Sequence, residues 1–157
     1  MTTEDYGSVL LRFRGGASGS FTVSQVTAGR KNCVRYEIAG ARAALAWDSE
    51  RPNELWLGHR DRPNEVLLRN PALMGAAGRV AAALPGGHVE GFADTFAALF
   101  RAIYADVAAG RPAERPPYAT FAEGHDEMLV NDAIAASAAS GRWVDVAREP
   151  VPAGSRK

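Results

Sequence analysis

The residue types that could do chemistry in this sequence are three histidines, one cysteine, a short basic cluster and two glycine-rich turns. His88 stands in Pro85-Gly86-Gly87-His88-Val89-Glu90, where a tight turn brings backbone donors, a titratable ring and a carboxylate close together. That pattern suits a structural histidine and a ligand contact alike. Arg30-Lys31-Asn32 follows Gly29. A solvated hairpin tip explains it, and two cations with an amide would equally orient a hydroxylated or anionic ligand. His59, in Gly58-His59-Arg60-Asp61, reads as part of a solvated turn, and His125 beside Asp126 and Glu127 reads as an exposed helix face. No H-x-x-x-H or C-x-x-C spacing links these residues, so no metal is expected. Cys33 lies in a strand pattern without a base beside it, which favours a small buried hydrophobe over a nucleophile. Gly15-Gly16-Ala17-Ser18-Gly19 has the composition of a phosphate loop, but strand patterns flank it on both sides and predict a hairpin. Neither a Walker sequence, nor G-x-G-x-x-G, nor a nucleophile elbow occurs, so no catalytic or cofactor-binding residue is assigned.

The elements that must position these groups fall into strands first and helices later. Val9, Leu11 and Phe13 alternate with Leu10, Arg12 and Arg14, the period of a half-buried strand. Gly15-Gly16 turns the chain, and Phe21, Val23 and Gln25 alternate on the way back. Val34, Tyr36 and Ile38, then Ala43, Leu45 and Trp47, repeat the pattern around Gly40. Arg51-Pro52-Asn53-Glu54-Leu55 recurs as Arg62-Pro63-Asn64-Glu65-Val66 eleven residues later, one turn chemistry feeding two successive strands. Connections this short require antiparallel pairing. Leu73 to Ala83 is weakly helical or loop. Phe92, Phe96, Leu99, Phe100, Ile103 and Val107 line one face of a helix, with Asp94, Thr95, Arg101 and Asp106 opposite, so this helix should cover a sheet. Thr120 with Glu123 forms a capping box for a second helix that Gly141 stops. Trp143 to Val146 alternates as a last short strand, and 147–157 reads as a frayed tail. The expected fold is a single α+β domain with its core over about 4–146. It has an open, mainly antiparallel sheet of about six strands and helices packed on one face.

Composition narrows the function. Among 157 residues, 18 lysines and arginines balance 18 aspartates and glutamates, with no basic run, so no nucleic-acid partner is expected. No apolar run approaches the roughly 20 residues of a membrane span, and the N-terminus has no signal-peptide pattern. A single cysteine fits a reducing, cytoplasmic compartment.

Several stretches taken together resemble the C-terminal domain of the Gfo/Idh/MocA oxidoreductases. They are Ser24-Gln25-Val26-Thr27-Ala28-Gly29-Arg30-Lys31-Asn32, Glu37-Ile38-Ala39-Gly40 and the run from Leu45 to Asp61. Pro85-Gly86-Gly87-His88-Val89-Glu90-Gly91-Phe92 and Gly141-Arg142-Trp143-Val144 continue the resemblance in the same order. It implies a two-domain enzyme in which a separate Rossmann domain holds NAD or NADP and this domain completes a sugar or polyol site. It also implies a sheet face that mediates homo-oligomer formation. Relatives reach substrate from the position of Arg30 and Asn32, which makes these two, with His88 as a third, the substrate-binding candidates. The family's Glu-Lys-Pro motif does not occur here, and Gly86-Gly87 does not lead into its Gly-Gly-x-x-x-Asp-x-x-x-His pattern. The resemblance therefore implies a substrate-binding and oligomerisation domain that is non-catalytic by itself. The alternative is a standalone module that self-associates through its sheet or complements a separate Rossmann-domain protein.

Overall fold

The computed structural model describes residues 4–147; residues 1–3 and the tail expected over 148–157 lie outside the described residues. Six strands precede the helices: β1 Tyr6–Arg12, β2 Ser18–Ser24, β3 Arg35–Ala39, β4 Ala43–Asp48, β5 Glu54–His59 and β6 Glu65–Leu68. A 3₁₀ turn at Pro71–Leu73 comes next, then α1 (Ala76–Ala81) within the Leu73–Ala83 stretch read as weakly helical or loop, followed by α2 (Phe92–Ala109) and α3 (Phe121–Ser140). The fold is α+β with open antiparallel sheets. No described helix is long and apolar enough to cross a membrane.

The strands divide into two sheets, β1-β2 and β3-β4-β5-β6, where the sequence suggested one. The break falls at the Thr27–Asn32 connection, which turns through Gly29 at φ 81°. The chain parts there into two compact units, Gly29–Tyr118 and the flanking segments up to Ala28 and from Ala119.

In the flanking unit, β1 and β2 pair from Tyr6↔Ser24 to Arg12↔Ser18 through a turn with Gly16 at φ 87°. The Gly15-Gly16 sequence thus makes a hairpin rather than a phosphate loop. Val9 and Leu11 are half-buried while Leu10 is exposed, as the alternation requires. Thr120 caps α3, its Oγ1 accepting from the Glu123 N–H at 3.3 Å while Glu123 Oε2 accepts from the Thr120 N–H at 2.7 Å. Gly141 ends the helix at φ 64°. Trp143–Val146 is not the strand its alternation suggested. Among the described residues no strand pairs with it; Ser137 Oγ donates to the Arg142 carbonyl at 2.6 Å, and the Arg12 guanidinium lies 4.2 Å above the Trp143 ring.

In the Gly29–Tyr118 unit, register assigns each residue of the four-stranded sheet to a face. Tyr36↔Trp47↔Leu55 and Ile38↔Leu45↔Leu57 share one side, and Glu37↔Ala46↔Trp56↔Val66 share the other. Leu45, Trp47, Leu55 and Leu57 are half-buried, and Tyr36 stacks on Trp47 at 5.5 Å between ring centroids. The sequence suggested one domain with its own core over about 4–146. Instead, no hydrophobic side chain among the described residues is fully buried. The α2 stripe shares in this: Phe92, Phe96 and Phe100 form a ladder with successive centroids at 4.9 and 6.5 Å, yet are 68, 45 and 52% exposed. Asp94 and Asp106, expected to face water, are half-buried because local partners engage them. Asp94 Oδ2 accepts from the Gly91 N–H at 2.8 Å, and Asp106 Oδ2 takes the Ala113 N–H at 3.0 Å and the Tyr118 hydroxyl.

Candidate functional site

The turn from Ser49 to Asn53, between β4 and β5, is where the candidate residues are anchored. Asp48 builds it: its carbonyl accepts from the Arg51 N–H at 2.9 Å and its carboxylate from the Glu50 N–H at 2.9 Å. Ser49 ties the turn to the start of β3, donating its N–H to the Val34 carbonyl and accepting the Val34 N–H at Oγ, both at 2.9 Å. Glu50 then forms an ion pair with Arg30. Arg30 is thus held at the rim of an open cleft of about 820 Å³ whose walls include Arg35, Glu37, Trp47 and Trp56. Asn32 is exposed on the neighbouring loop and outside the cleft lining.

Cys33 is half-buried, with Sγ 3.9 Å from Asp48 Oδ1. One ligand atom each from Cys33, Asp48 and Glu50 falls within 4.8 Å of the others. Those acceptors are already committed, Asp48 to a backbone donor and Glu50 to Arg30, and a guanidinium beside them opposes a cation. The cluster works as a turn anchor.

At its other end the turn carries Asn53, which sequence reasoning treated only as turn chemistry. Asn53 Nδ2 donates to the His88 carbonyl at 3.1 Å, and its Oδ1 accepts from Arg69 Nε at 3.2 Å. Arg69, one residue beyond β6, fans its remaining donors over the turn that leads into α2. It reaches the carbonyls of Leu84 at 3.0 Å, Pro85 at 3.1 Å and His88 at 2.7 Å. The same guanidinium pairs with Glu90 at 2.8 Å, both side chains being only 10% exposed. Glu90 Oε1 accepts in turn from the N–H groups of Ala83 and Leu84, at 2.5 and 2.6 Å. A planar fork with five donors suits this cluster of carbonyls and a carboxylate; a lysine would satisfy fewer of them.

Of the three substrate candidates, Arg30 and His88 are therefore linked to one turn through Glu50 and Asn53. Asn32 makes no side-chain hydrogen bond to a described residue. His88 is exposed, and only its backbone enters the cluster. Its imidazole makes no hydrogen bond to a described residue. His59 departs from the solvated turn expected for it. It ends β5 with its side chain 10% exposed and Nε2 2.9 Å from Glu65 Oε1, off the direction of a hydrogen bond. Glu65 also pairs with Arg62 at 3.2 Å. His125 is exposed in the first turns of α3, as expected.

Comparison with known proteins adds the wider setting. Residues 1–146 match the family described as "Oxidoreductase family, C-terminal alpha/beta domain", the Gfo/Idh/MocA type. Levoglucosan dehydrogenase of Pseudarthrobacter phenanthrenivorans is 27% identical over 146 residues, covering 91% of this chain and 36% of its own length. A solved oxidoreductase from Sinorhizobium meliloti superposes with a TM-score of 0.85 at 28% identity, over 92% of this chain and 42% of that one. Levoglucosan dehydrogenase in complex with NADH and levoglucosan superposes at 0.80 and 26% identity, over 94% of this chain and 40% of the other. The chain spans about a third of the curated relative just named.

Proposed function

Since this chain belongs to the Gfo/Idh/MocA oxidoreductase family as its C-terminal alpha/beta domain, we propose that it is the substrate-side and assembly domain of an NAD(P)-dependent sugar or polyol dehydrogenase. The observation that carries this reading is the superposition, over 94% of this chain, on a relative solved with NADH and levoglucosan. Arg30, Asn32 and His88 supply the substrate contacts. A guanidinium, an amide and an imidazole suit hydroxyl recognition because each donates in a fixed direction while leaving the hydride acceptor to a cofactor held elsewhere. The 157 residues include no Glu-Lys-Pro motif, so this chain by itself does not transfer hydride. The setting is cytoplasmic, which suits the free thiol of Cys33.

Self-association belongs to the same reading. Val66 at 56% and Leu68 at 70% exposure leave apolar area open on the Trp56 face of the four-stranded sheet, and covering it with a second copy would remove that area from water. Light scattering of the purified chain, alongside calorimetric titration with NAD and NADP, tests both halves. A discrete dimer or tetramer without cofactor heat is expected. Saturable cofactor binding, or NAD-dependent sugar oxidation by this chain alone, would overturn the assignment, and a strict monomer would remove the assembly role.

A further inference from the structure

We propose that Asn53, Arg69 and Glu90 are the positioning residues of the substrate-side site: they fix the backbone of the 83–90 turn so that the His88 imidazole is presented to a hydroxylated ligand. The proposal rests on the reading of His88 as a substrate contact. It gives a role to Arg69 and, within the stretches that carry the family resemblance, to Asn53 and Glu90.

The geometry separates what is held from what is free. The His88 carbonyl accepts twice, from Arg69 Nη2 at 2.7 Å and Asn53 Nδ2 at 3.1 Å. Its N–H donates to the Pro85 carbonyl at 3.4 Å, closing the turn around Gly87, which has φ 86°. The Glu90 N–H, two residues on, reaches Asn53 Oδ1 at 3.5 Å. The backbone on both sides of the ring is thereby tied to β5 and β6, while the ring itself stays exposed. A rigid main chain beneath a free side chain is what a directional contact needs, because it limits the ring to its rotamers rather than to loop motion.

The arrangement also joins two of the candidates. Asn53 holds the His88 turn and Glu50, three residues earlier in the same β4–β5 turn, holds Arg30. Displacing that turn would therefore disturb both contacts together. Arg69 is the residue on which the cluster depends, since it alone bridges Asn53, the 84–88 carbonyls and Glu90. The low exposure of the Arg69–Glu90 pair keeps water from replacing these bonds cheaply.

The test is NMR of the full 157-residue chain, with the His88 ring signal assigned through His88→Ala. In Arg69→Met, the His88 ring and the amides of Ala83, Leu84 and His88 should shift, and hydrogen exchange at those amides should rise about tenfold or more. The indole signal of Trp143, which lies in the other compact unit, should stay in place. Arg69→Lys should restore part of the pattern. Asn53→Asp keeps the acceptor for Arg69 but loses the donor to the His88 carbonyl, so it gives the same readout if Arg69→Met fails to fold. An unmoved His88 ring in either folded variant overturns the positioning role. Titration with levoglucosan then examines the underlying reading separately. A His88 shift in the wild type that is lost in the variants supports both. A ring that responds to Arg69→Met but not to levoglucosan overturns the substrate assignment, and with it the purpose given to the cluster.

Discussion

The indole of Trp56 lies folded over Gly58, two residues along β5 on the same sheet face, so closely that a Cβ at position 58 would come within 2.3 Å of Cη2. Gly58 is the only buried residue of that strand, and the Trp56 ring is what buries it. The glycine is required here by contact and not by dihedral angle. Gly58→Ala should drive the ring off the sheet and destabilise by about 1–3 kcal/mol, the usual cost of overpacking. Near-ultraviolet dichroism and thermal melts read the two effects. An unchanged melt with an unchanged aromatic spectrum would show that the ring does not rest there.

The Arg69–Glu90 pair makes a different prediction, about stability. Removing one member leaves the other charged in a site that is 10% exposed, so Arg69→Met or Glu90→Leu should each cost about 3–5 kcal/mol. The double variant should cost clearly less than the sum, because neither charge is then stranded. Urea denaturation of the three variants decides the matter. Strict additivity would mean the two side chains do not interact.

How much of this was readable beforehand depends on whether a signal is local. The Gly15-Gly16 hairpin, the Thr120 cap, the Gly141 stop and the two Arg-Pro-Asn turns are written in neighbouring residues, and all were legible. The Asn53 cluster was not, although Asn53 and Asn64 occupy the same turn sequence. Asn64 Oδ1 stays local, accepting from the His59 N–H at 3.0 Å, whereas Asn53 reaches 35 residues along the chain to His88. Nothing periodic marks that difference, and Arg69 is a lone cation after a strand. Trp143–Val146 shows the converse. Its alternation was visible, but alternation reports two-sided packing and cannot say whether a partner strand exists.

The α2 stripe tests a correction to the sequence reading. Periodicity alone would assign Phe96→Ala and Phe100→Ala the about 3–5 kcal/mol of fully buried aromatics. With the rings 45 and 52% exposed, each should cost the isolated chain only about 1–2 kcal/mol. Thermal melts at low protein concentration give the comparison. Losses at the upper figure would mean that these rings are covered in solution.

The last prediction concerns pH. The Tyr118 hydroxyl, and after it the Ala113 N–H, hold the Asp106 carboxyl below its ordinary 3.8, and burial opposes them weakly. The Thr120 N–H, then its hydroxyl, lower Glu123 from 4.5. Both carboxylates bind protons less readily folded than unfolded. Their stabilisation is therefore present above the ordinary values and is lost as pH falls through the depressed ones. Tyr118 has the opposite sign. Its hydrogen bond to Asp106 raises it above 10.0, so its contribution is intact below that value and disappears as pH rises through the raised one. Tyr118→Phe should accordingly flatten both limbs of a plot of Tm against pH, whereas Thr120→Ala should flatten only the acid limb. The threonine variant should also lower Tm at neutral pH, since a lost N-cap costs about 1 kcal/mol. If Tyr118→Phe left the alkaline limb as steep as before, the Asp106–Tyr118 bond would not be present in the folded protein.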